Sequence, residues 1–92
     1  MEERLKEQLK QEGFSFVYEW HDTPGKVYPL HEHQNKVAII VVHGEVAFDF
    51  GGEKKVVRKG ERFDVPPKTK HTAVVGKDGC DFIVGEVVEN DA

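Results

Sequence analysis

From Phe14 onward the chain is cut by a turn signal every few residues, and only the stretch before it offers a helix. Asp22-Thr23-Pro24-Gly25, Gln34 to Lys36, Gly44, Gly51-Gly52, Gly60, Pro66 to Lys70 and Gly76 to Gly79 bound short runs rich in valine, isoleucine and aromatic residues. Such runs read as strands, because branched and aromatic side chains fit a pleated surface. The first opens at Phe14 and ends at His21, with Phe14, Phe16, Tyr18 and Trp20 on one face. Further strands are predicted at Lys26 to His33, Val37 to His43, Glu45 to Phe50, Lys54 to Arg58, Arg62 to Val65, Thr72 to Val75 and Cys80 to Val88. Strands this short and this regular imply a sandwich or barrel, hence an all-β domain. Before them, Glu2 to Glu12 carries Leu5 and Leu9 at i, i+4 among charged neighbours, and Gly13 stands where a helix takes its terminal glycine. The chain therefore divides into a helix at residues 1–13 and a β domain at 14–92, with Glu89 to Ala92 expected to fray.

The run Val37 to Val42 is apolar at every position, whereas a strand with one wet face alternates. Its outer face needs a cover, supplied either by the N-terminal helix or by another subunit, and a homodimer is expected. A net charge of −4 and a pI near 5.7 argue against nucleic acid or anionic lipid as partners, since both are held by clustered Lys and Arg. No stretch has the length and hydrophobicity of a signal peptide or a membrane span. A single cysteine, Cys80, forms no internal disulfide, and a cytoplasmic location is expected.

Among five histidines, His31 and His33 are separated by one residue, so on an extended strand both point to one face and can share a metal ion. His71 begins another strand and becomes a third ligand if the sheet brings that strand alongside. Imidazole accepts zinc, iron, nickel and copper alike. Glu32 faces the other side of its strand and is a poor ligand. His21 and His43 stand at strand ends, where polar residues are common. Cys80 has no activating neighbour in sequence and reads as a small buried residue.

The stretch from Gly25 through His31 and His33 to Gly44 resembles the first cupin motif, G-x5-H-x-H-x3,4-E-x6-G. Gly60, Pro66 and His71 are similarly in register with the second motif, G-x5-P-x-G-x2-H-x3-N. The resemblance covers Tyr18 to Val88 and implies a double-stranded β-helix, the cupin jelly-roll barrel, behind a short N-terminal helix. Three positions depart from the pattern. Val37 stands at the motif glutamate, Lys68 at the second-motif glycine and Val75 at the asparagine. Since that glutamate supplies the family's carboxylate ligand, the resemblance implies a site of three histidines: His31, His33 and His71.

What this implies is one divalent transition metal per chain (Fe, Mn, Ni, Zn or Cu) with positions open to a small oxygenated molecule. Val37, Tyr28 and His43 are expected to line the pocket. The resemblance implies chemistry of the dioxygenase, isomerase or decarboxylase type. A non-catalytic module that binds or senses a small-molecule ligand is the alternative, and a metal-free structural barrel a third reading.

Overall fold

The computed structural model describes residues 2–87. Its elements run α1 (Glu2–Gln11), β1 (Phe16–Asp22), β2 (Val27–His31), β3 (Val37–Phe50), β4 (Glu53–Arg58), β5 (Arg62–Val65) and β6 (His71–Glu86). Val88 and the expected frayed tail lie outside the described residues.

Two long strands organise the fold. β3 and β6 pair antiparallel from Val37↔Glu86 to Asp49↔Thr72, and every other strand adds to one of them. β5 pairs with the first part of β3 and β4 with the second, while β1 and β2 take the two halves of β6. The sheet closes over itself around one core. Phe48, in the second half of β3, lies 5.3 Å by ring centroid from Phe63 of β5, which pairs only with the first half. This core holds Val37, Ile39, Val41, Val46, Phe48, Phe82 and their neighbours, the inward positions of both long strands.

Sequence punctuation at Gly44 and at Gly76 to Gly79 predicts turns, yet both segments lie inside continuous strands. The reason is close approach. Gly44 has φ +81, and a Cβ there would stand 2.0 Å from the carbonyl oxygen of Gly79. Only glycine lets β3 and β6 pass each other where the two strands bend.

The outer face of Val37 to Val42 is covered by the chain's own helix. Leu9, Phe14, Ala38, Ile40 and Ile83 form a second buried cluster, and burying a leucine as completely as Leu9 contributes about 1.5–3 kcal/mol. α1 ends in a Schellman arrangement: the Gly13 amide donates to the Lys10 carbonyl and the Phe14 amide to that of Leu9, both at 3.1 Å. Gly13 at φ +105 turns the chain so that Phe14 folds back against Leu9. Arg62 of β5 then grips Glu12 through two hydrogen bonds of 2.6 and 2.8 Å, which hold the Glu12 carboxyl down at about 2. With the helix in place, the apolar run no longer requires a second subunit.

Candidate metal centre

Strand pairing brings the three predicted ligands together. β2 ends at His31, which lies opposite His71 at the start of β6. His33 follows two residues beyond, and the ring centroids are 4.4 Å (His31–His71), 5.0 Å (His31–His33) and 5.5 Å (His33–His71) apart. Each residue offers a ligand nitrogen, and these lie within 4.8 Å of one another. His71 is buried and packs beside Phe48 and Phe50, while His31 and His33 are partly exposed.

Backbone carbonyls fix two of the rings. Nδ1 of His31 lies 2.6 Å from the Pro29 carbonyl oxygen, and Nδ1 of His71 lies 2.8 Å from that of Thr69. A carbonyl only accepts, so each Nδ1 carries the proton and each Nε2 keeps its lone pair. This is how proteins usually set a metal-binding imidazole, with the second nitrogen donating to an outer partner. His33 is positioned through its backbone, whose carbonyl accepts the Lys68 amide at 2.7 Å. Lys68 stands where the resemblance has glycine and adopts φ +55, the left-handed region glycine favours. The loop keeps the glycine's shape without the glycine. In donor type all three imidazoles, and in tautomer His31 and His71, fit a divalent transition metal.

The histidines open onto a cavity of about 240 Å³. Its walls are largely apolar, with Val37, Ile39, Phe48 and Phe82 prominent. At one side Tyr28 donates to Asp22 at 2.5 Å, and the Trp20 indole donates to the other oxygen of the same carboxylate at 3.1 Å. Burial, then the Asp22 bond, pushes the Tyr28 hydroxyl up to about 12, so it remains protonated. Trp20 and Tyr28 thus belong to the cavity wall rather than to a closed core. Beside Trp20 on β1, the Tyr18 hydroxyl donates to Glu86. Burial pushes Tyr18 upward, with the Glu86 bond adding to it. His33 is lowered by burial and by its neighbours His31 and His71, against a smaller opposing pull from Glu86.

Of the residues predicted to line the pocket, Val37 and Tyr28 do so. His43 does not, and this corrects the sequence reading. Alternation along β3 puts Val37, Ile39 and Val41 inside and would put residue 43 there too. The register against β6 shifts between Val41 and His43, a bulge that turns His43 to the outer surface. It shares a surface depression with His21 and Asp81, where His21 Nδ1 bonds one Asp81 oxygen and His43 Nδ1 lies 3.9 Å from the other. Glu32 is exposed and outside the cavity, and Cys80 is buried, its thiol pushed up to about 12 chiefly by burial.

Sequence reasoning missed Glu86. A signal was present, since the inward face of the last strand runs Phe82, Val84, Glu86 and so ends in an acid.

Comparison with known proteins agrees with this architecture. A family model described as a cupin domain matches residues 18–85. Among solved structures, an RmlC-like cupin from Shewanella frigidimarina is similar at 26% identity with a TM-score of 0.67, covering 83% of this chain and 68% of that one. KdgF from Halomonas sp. is similar at 26% identity and TM-score 0.59, covering 82% of this chain and 69% of KdgF. The DMSP lyase DddQ from Ruegeria pomeroyi shares the fold at 18% identity and TM-score 0.69, and this chain spans 39% of its length. No curated protein matches the sequence. No helix among the described residues is long and apolar enough to cross a membrane.

Proposed function

The chain belongs to the cupin family, and we propose that it holds one divalent transition metal with His31, His33 and His71 and presents that metal to a small oxygenated ligand. The observation that carries this reading is the pair of Nδ1 bonds to the Pro29 and Thr69 carbonyls, which commits the basic nitrogen of both His31 and His71 to an outside partner. When bound there, such an ion acts as a Lewis acid on an oxygen ligand or lowers the pKa of a bound water. The chain's own residues do the rest. Val37, Ile39 and Phe82 give the cavity an apolar wall, and Asp22 holds the Tyr28 hydroxyl and the Trp20 indole at its side.

A cavity of about 240 Å³ favours a small molecule over a polymer. KdgF and the DMSP lyase, similar in fold, are examples of what this architecture carries elsewhere. The reading extends to turnover of the isomerase, decarboxylase or dioxygenase type, and a module that only binds or senses its ligand would use the same centre. With the outer face of β3 covered by α1, the homodimer rests on no patch in that region.

Protein loaded with Co(II) and titrated with acetohydroxamate, a small oxygen chelator, tests the open coordination positions. A saturable change in the visible absorption bands is expected. Bands that stay unchanged through millimolar chelator would overturn the proposal.

A further inference from the structure

Three neutral imidazoles leave the two positive charges of a divalent ion uncompensated, within walls that are mainly hydrocarbon. Unpaired charge in such surroundings is costly. Val37 occupies the position from which a carboxylate would answer it, and Glu45 and Asp49 lie outside the cavity, so β3 brings no negative charge to it. The adjacent strand does. Glu86 is the cross-strand partner of Val37, and both line the cavity of the three histidines. Residues directly opposite in an antiparallel pair have Cβ atoms about 4.5–5.5 Å apart on one face, so an acid on either strand enters nearly the same space.

Glu86 is also the only carboxylate on that cavity wall among the described residues. The Tyr18 hydroxyl donates a hydrogen bond to it and so orients the carboxylate. An acid placed only to tie β6 to β1 would have no need of an inward position, because Phe16, its partner on β1, is half exposed.

We propose that Glu86 is the negative charge of this metal centre, carried by the last strand in place of the carboxylate that β3 lacks there, with Tyr18 as its positioning residue. This rests on the three-histidine reading above. It gives three imidazole ligands a carboxylate charge beside them in the same cavity, surroundings suited to harder ions such as Mn(II), whereas imidazole alone favours Cu(II) and Zn(II).

The experiment is a Mn(II) and Zn(II) titration of the full chain against a competing chelator, for wild type, Glu86→Gln and the double variant Val37→Glu/Glu86→Gln. Glutamine keeps the shape and accepts the Tyr18 hydrogen bond, so the ion-free melting temperature of Glu86→Gln should equal or exceed that of wild type. Its Mn(II) affinity should fall about tenfold or more, the scale seen when a residue supporting a metal centre is lost. The double variant returns the charge from the opposite strand and should recover most of that loss. Mn(II) affinity in Glu86→Gln within twofold of wild type overturns the proposal while leaving the three-histidine centre standing. Wild type that takes up neither ion overturns the centre itself.

Discussion

The five histidines fall into two groups that differ in everything except residue type. His21 and His43 flank Asp81 on the outer surface, with side chains 71% and 63% exposed. Their polar partner is a carboxylate that also faces water, and ion pairs so placed contribute about 0–1 kcal/mol. His31, His33 and His71 instead crowd against one another in an apolar cavity, and two of them bond backbone carbonyls. Gathering three imidazoles in such surroundings lowers stability unless their nitrogens find a partner. Outside, an acid answers the histidines directly; inside, the nitrogens are left for a cation, and the acid, Glu86, lines the same cavity. Chemistry is thus decided by burial and by what holds Nδ1, and histidine count alone says little.

The largest effect that would break this contrast is thermal. Zn(II) at about 100 times its Kd stabilises a native state by about 2.7 kcal/mol, which for a domain of this size raises Tm by about 10–20 °C. Wild type and the His21→Ala/His43→Ala variant should both show the rise, and His31→Ala/His71→Ala should show none. Equal rises in the two double variants would erase the distinction between the groups.

A smaller effect sharpens it. In ion-free protein, burial followed by the proximity of His31 and His71 places His33 below the ordinary imidazole value of about 6.5. The unfolded chain then takes up the proton first as pH falls, so this residue's share of stability is lost as pH drops below about 6.5 and is complete above it. An NMR titration of the imidazole resonances checks the order. A His33 midpoint at or above about 6.5 would mean that the inner site is wetter than its walls suggest.

Local signals made α1 readable in the sequence down to its cap, since the Leu5 and Leu9 spacing and Gly13 act within a few residues of each other. The metal trio was readable from the H-x-H spacing and the motif register that supplies His71, although β2 ends at His31 and His33 reaches the site from beyond the strand rather than along it. Gly44 was harder, because a glycine looks the same in sequence whether it ends a strand or lets another backbone pass at 2.0 Å from its missing Cβ. The bulge that ejects His43 leaves no mark in composition, and alternation carried past it gives the wrong face. Glu86 needed the pairing of β6 with β3, a contact between residues far apart in the chain. Lys68 shows the reverse case, a departure from the motif that the backbone absorbs at φ +55.

The metal centre itself is tested most directly by elemental analysis of untagged protein, purified without added metal, for wild type and both double histidine variants. The account predicts close to one transition-metal ion per chain in wild type and in His21→Ala/His43→Ala, and a background level in His31→Ala/His71→Ala. Metal content in His31→Ala/His71→Ala equal to that of wild type would contradict it.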